Sequence, residues 1–168
     1  MKVQTLTQRI DNISEWTGKI FNWVVIPLTI IVLVEITASK AFHLGLPWAF
    51  EVTTFLYGFH FMIVAAYTLL YKGHVSIDII VNRLPPKTRF VIDLVCYSFF
   101  FFFLASWLVC GTRYAWTSWA IMEHSHSSWS PPLYPIKTVI PLTAVLLIMQ
   151  GISDFAKKII AYKRGGNP

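Results

Sequence analysis

Apolar residues run through this chain in long uninterrupted stretches rather than in the alternating or faceted patterns of soluble elements. Four stretches reach the roughly 17 to 25 residues that a membrane-crossing helix needs: Ile20–Thr37, Trp48–Leu70, Phe90–Cys110 and Thr138–Ala156. The third is followed by residues that can continue the helix to Trp119, beyond the hydrocarbon. None shows the dyad alternation of a membrane barrel. Helices are expected instead, because lipid offers no partner for backbone N–H and C=O groups. The first stretch is too long for the apolar core of a signal peptide, and no small-residue cleavage site follows it before Lys40. The reading is an all-α membrane protein, one domain over residues 1–168 with four transmembrane helices.

Two segments carry a helical stripe instead. Leu6, Ile10, Ile13, Trp16 and Ile20 recur at steps of three and four among Arg9, Asp11, Glu15 and Lys19, which predicts an amphipathic helix over residues 6–19 leading into the first span. Between the second and third spans, Ile77, Ile80, Val81 and Leu84 repeat the pattern. Ser76 caps that helix, Asp78 suits its positive end, and Pro85 and Pro86 stop it. Both are expected as interfacial helices lying on lipid. The 2–3 segment also reads simply as a connector.

Charge sets the topology. Lys and Arg number 14. Eleven sit before the first span, between the second and third, or after the fourth: Lys2, Arg9, Lys19, Lys72, Arg83, Lys87, Arg89, Lys157, Lys158, Lys163 and Arg164. Only Lys40, Arg113 and Lys137 fall on the other side. Positive-inside bias therefore predicts both termini in the cytoplasm, N-in/C-in. Composition agrees with a lipid solvent: 55% of the 168 residues are hydrophobic, 13% charged and mean hydropathy is +0.58, against about 25% charged in soluble domains. The formal charge of +6 points to anionic headgroups as partners, not to nucleic acid, since no basic residues alternate with aromatics on a soluble face. Trp23, Trp48, Trp107, Trp116, Trp119 and Trp129 mark interfaces.

Residues able to do chemistry are few. Cys96 and Cys110 lie 14 positions apart, about 21 Å at helical rise, too far for a disulfide, and are expected as packing residues. His60 is the one histidine in mid-span, whereas axial haem ligation by two histidines needs a pair at matching depth. His124 and His126 beside Glu123 read as a solvated loop rather than a metal site. No cofactor is expected, and no enzyme. Glu35, Glu51 and Asp93 lie near span ends, where a carboxylate is cheaper than at the midplane. Glu35 keeps one alternative open, a self-sufficient proton-coupled small multidrug exporter that would lose activity in Glu35→Gln. A membrane redox protein is a third class, tested by haem absorbance.

The order of these features resembles the small membrane subunit (DctQ-like) of TRAP transporters, the tripartite ATP-independent periplasmic carriers, from about Ile10 to Lys163. Trp48 and Glu51 open the second span. "GHVSIDIIVNRLPPKTR" matches through Gly73, His74, Asp78, Leu84, Pro85 and Arg89. "HSSWSPPLYPIKTVIPL" matches through Pro132, Tyr134, Pro135, Lys137 and Pro141, with Gln150 further on. Glu35 departs from the pattern, standing where a polar amide is expected. The resemblance implies a non-enzymatic scaffold in the bacterial inner membrane. Its partners would be a large elevator-type permease subunit and a periplasmic substrate-binding protein, in sodium-driven uptake of an organic acid such as a sialic acid, a C4-dicarboxylate or a 2-oxo acid. Residues expected at subunit contacts or anchors are Glu35, Trp48, Glu51, His74, Ile77, Asp78, Ile80, Leu84 and Arg89. Those expected to meet the binding protein are Arg113, Glu123, Trp129 and Tyr134.

Overall fold

The computed structural model describes residues 2–71 and 85–163. Within them the chain is helical: α1 (Lys2–Phe21), a 3-10 turn (Asn22–Val24), α2 (Val25–Phe42), α3 (Pro47–Leu70), α4 (Pro86–Ala120), a one-turn α5 (Tyr134–Lys137) and α6 (Val139–Lys163). Four helical segments are long and apolar enough to cross a membrane, Leu6–Phe42, Pro47–Leu70, Thr88–Ala120 and Tyr134–Ile160. They contain the four expected spans. The expected helix over residues 76–84 lies outside the described residues.

Proline sets several starts. Pro47, Pro86 and Pro135 occupy first-turn positions, where a missing N–H costs nothing because no intrahelical acceptor exists for it. At the other end of α2, His43 adopts a left-handed φ of 53° and Leu44 N–H returns to the Ala38 carbonyl at 3.1 Å, so a left-handed residue turns the chain back and satisfies a last-turn carbonyl. The 3-10 turn between α1 and α2 has its cause in Pro27. A proline there cannot supply the N–H that the Trp23 carbonyl would receive, and its ring crowds that carbonyl.

α6 is the centre of the bundle. α4 runs antiparallel to it, with Leu104 against Leu147 and Ala66 of α3 in a small core that Phe100, Trp107 and Leu146 extend. Helices approach closely where a side chain is missing: a Cβ on Gly151 would come within 2.5 Å of the Phe100 ring. α1 packs on both α3 and α6, whereas α2 packs on α3 and has no buried residue. α4, at 35 residues, measures about 52 Å and overruns a hydrocarbon layer of about 30 Å, continuing through Trp116 and Trp119 as the sequence suggests.

Residues 6–19 are helical, yet what fastens them is not the apolar stripe. Thr7, Ile10 and Ser14 are buried, while Leu6, Ile13, Trp16 and Ile20 remain on the outside. Cys96 and Cys110 also differ from expectation: both are free and exposed rather than packed. On a bundle whose surroundings are apolar, a thiol gains nothing by facing inward.

Candidate functional site

Polar side chains gather in two groups, at opposite ends of the bundle. The first joins α1 to α6. On α1, Thr7, Asp11, Ser14 and Gly18 fall at i, i+4, i+7 and i+11, one helical face. On α6, Gln150, Ser153, Asp154 and Lys157 do the same at i, i+3, i+4 and i+7. Gln150, fully buried, takes a hydrogen bond from Ser14 Oγ on its Oε1 at 2.7 Å. Its Nε2 donates to Asp11 Oδ1 and to Asp154 Oδ1, each at 3.2 Å. Ser153 Oγ donates to Asp11 Oδ1 at 2.8 Å, and Lys157 Nζ stands 2.6 Å from Asp11 Oδ2. The amide of Gln150 thus uses its oxygen and both hydrogens, the condition under which a buried polar group stabilises rather than costs. Nearby, Lys158 of α6 pairs with Asp93 of α4 at 2.6 Å, and Phe90 stacks on Tyr162 at 4.2 Å.

The second group lies where α3 and α6 begin and α4 ends. Residues 121–133 double back as a short ribbon: Ser125 N–H bonds to the Pro131 carbonyl and Leu133 N–H to that of Glu123, both at 2.9 Å. Met122 and Ser130, each at φ 47°, make its corners. Ser125 Oγ donates to Glu51 Oε1 of α3 at 2.7 Å. Glu51 Oε2 is enclosed with no hydrogen-bond partner among the described residues. Lys137, buried, binds Glu123 at 2.5 Å and lies 4.1 Å above the Tyr114 ring. Trp119 Nε1 donates to Thr138 Oγ1 at 2.8 Å and its ring packs on Tyr134 at 4.5 Å. The Lys137 ammonium holds the Glu123 carboxyl below its usual range.

The expected site residues divide accordingly. Glu51, Glu123 and Tyr134 come together here and are spent on contacts within the chain, while Arg113 and Trp129 stay exposed on the same end. Trp48 is exposed at the start of α3. Arg89 is half-buried at the start of α4, its Nε without a hydrogen-bond partner among the described residues. Glu35 lies half-buried on α2 in line with Leu28, Ile31, Val32 and Ala38. α3 is the helix on which α2 chiefly packs. His74, Ile77, Asp78, Ile80 and Leu84 lie outside the described residues. No three metal-ligating side chains cluster among the described residues.

Sequence reading missed the first group. Gln150 was legible only as part of a family resemblance, and Asp11 only as a charge flanking a stripe. The signal was present in the helical spacing of small and polar residues on α1 and α6, opposite the apolar stripe. His60 was missed in another way: its Nδ1 meets the Phe21 carbonyl at 3.0 Å, a tie from α3 to the backbone at the end of α1.

The family model of the tripartite ATP-independent periplasmic transporters, DctQ component, matches residues 28–160. No curated protein matches the chain.

Proposed function

The chain belongs to the DctQ family, the small membrane components of TRAP transporters, and from that premise we propose that it is a fixed scaffold for sodium-driven uptake of an organic acid. A large permease subunit carries the substrate and sodium sites in this reading and moves against the scaffold, and a periplasmic binding protein delivers the acid. The substrate belongs to the sialic acid, C4-dicarboxylate or 2-oxo acid class. The chain sits in the bacterial inner membrane with both termini in the cytoplasm.

The observation that carries this reading is where the polar groups point. Asp11, Asp93, Glu123, Gln150 and Ser153 are each bonded to another helix or segment of the same chain. The outward surface keeps Phe99, Phe102 and Phe103 of α4 and Ile30 and Leu33 of α2. Polar ties inward and apolar bulk outward make a stiff body whose surface suits lipid or another membrane chain, since helix association in lipid relies on hydrogen bonds and packing rather than on a hydrophobic drive. A moving domain needs such a reference to push against.

The group around Glu51, Ser125 and Lys137 lies at the end that positive-inside bias places in the periplasm. Arg113 and Trp129, exposed beside it, are proposed to meet the binding protein. His74, Asp78 and the stripe of Ile77, Ile80 and Leu84 are proposed to anchor the inner face to lipid or to the large subunit.

Reconstitution tests the scheme. Proteoliposomes holding the large subunit, this chain and the binding protein should accumulate the acid under a sodium gradient, and omission of this chain should abolish accumulation. Accumulation by this chain alone would overturn the reading.

A further inference from the structure

α1 and α2 form one rod in sequence but are held in different ways. α1 is tied to α6 by the Gln150 network. Among the described residues, no side chain of α2 hydrogen-bonds to another helix; Thr29 and Thr37 bond to their own backbone. Between them the 3-10 turn redirects the Val25 N–H to the Asn22 carbonyl. The Phe21 carbonyl then takes the Val24 N–H of the tighter turn in place of the donor four residues on that an unbroken α-helix gives it. The second lone pair of that carbonyl meets His60 of α3, with its Nδ1 at 3.0 Å. A carbonyl only accepts, so Nδ1 carries the hydrogen.

We propose that Asn22–Val24 is a built-in joint at which α2 can turn against the rest of the subunit, and that the hydrogen bond from His60 to the Phe21 carbonyl is its latch. Pro27 makes the joint, because it removes the N–H due to the Trp23 carbonyl and so keeps the turn from closing into regular helix. His60 then fixes the direction in which α2 leaves α1. The latch is a positioning device: it sets the angle of a helix that rests chiefly on α3 and whose half-buried residues, Glu35 among them, form one stripe. Protonation of His60 would not release it, since the imidazolium keeps its Nδ1 hydrogen.

Spin-label distances in the full chain, in nanodiscs with Cys96→Ser and Cys110→Ser, test the joint. One label pair, Ser39→Cys on α2 and Phe50→Cys on α3, reports the angle of α2. A second, Asn12→Cys on α1 and Ile152→Cys on α6, reports the fixed part. His60→Leu should broaden or split the first distance distribution and leave the second single. His60→Asn, whose side-chain N–H falls near the place of Nδ1, should restore the first. Pro27→Ala combined with His60→Leu should also restore it, because the N–H at position 27 can then reach the Trp23 carbonyl and the turn can close into regular helix. If His60→Leu leaves the first distribution unchanged, or broadens both alike, the joint is refuted. Should His60→Leu not fold, the double variant decides: a folded chain with one α2 distance supports the latch, and failure to fold overturns it.

Discussion

Gly18 of α1 stands against Tyr67 of α3 so closely that a Cβ at position 18 would overlap the base of the tyrosine ring. The near atoms are the Cβ and first ring carbons of Tyr67, which cannot swing aside as the tip of a long side chain can. This contact lets α1 reach α3 and α6 at once, bringing Ser14 to Gln150. In membrane bundles small residues serve this purpose, letting backbones approach where no hydrophobic drive exists.

Gly18→Ala should therefore destabilise the chain. Overpacking costs about 1–3 kcal/mol, against about 1 kcal/mol gained when alanine replaces glycine in a helix. Thermal unfolding in detergent should show a lower midpoint, recovered when Tyr67→Ala is added. A higher midpoint for Gly18→Ala alone would mean that the helices are not in contact there.

Gln150→Leu should be among the more damaging substitutions in the fourth span despite its added hydrophobicity. It strips Ser14 Oγ of its acceptor and leaves Asp11 and Asp154 one donor short, at about 1–3 kcal/mol for each buried group left unpaired. In the Gln150→Leu background, Ser14→Ala should cost almost nothing further. Additive losses in that double-mutant cycle would deny the bond between them.

The Glu123–Lys137 pair should give the ribbon a pH dependence. The carboxyl lies below its unfolded value of 4.5 because Lys137 stabilises its charged form. Its contribution is then present in full above 4.5 and fades as pH falls through the lower folded value. Fluorescence of Trp119, which packs on Tyr134 beside this pair, should change on acidification below that range. Glu123→Gln should remove that acid transition, and an identical transition in the variant would assign it to another group.

Exposed Arg113 and Trp129 provide the test of binding-protein docking, since changes at Glu123 would also disturb Lys137. Arg113→Glu should raise the binding-protein concentration needed for half-maximal uptake, at most about fivefold because exposed ion pairs are worth about 0–1 kcal/mol, and the effect should shrink with salt. Trp129→Ala should do so independently of salt. Superimposable uptake curves for both variants and the native chain would remove this end from the docking surface.

Hydrophobic runs in the sequence determine the four membrane-crossing helices, and proline marks the starts at Pro47, Pro86 and Pro135. Such signals are local: a run of about 20 apolar residues must be helical in lipid, and a proline's missing N–H acts on its own turn. The family, too, is legible in the order of local motifs. The partners of the polar residues were decided only in three dimensions. Asp11 meets Lys157, Ser14 meets Gln150 and Glu51 meets Ser125 because distant segments lie side by side in one register, which no local pattern encodes. The apolar stripe on α1 suggests which face is buried in lipid or by a partner, but not that the opposite face of Thr7, Asp11, Ser14 and Gly18 is what holds the bundle. Where the solvent is apolar, burial of apolar area does not choose the inner face; hydrogen bonds between small and polar residues do.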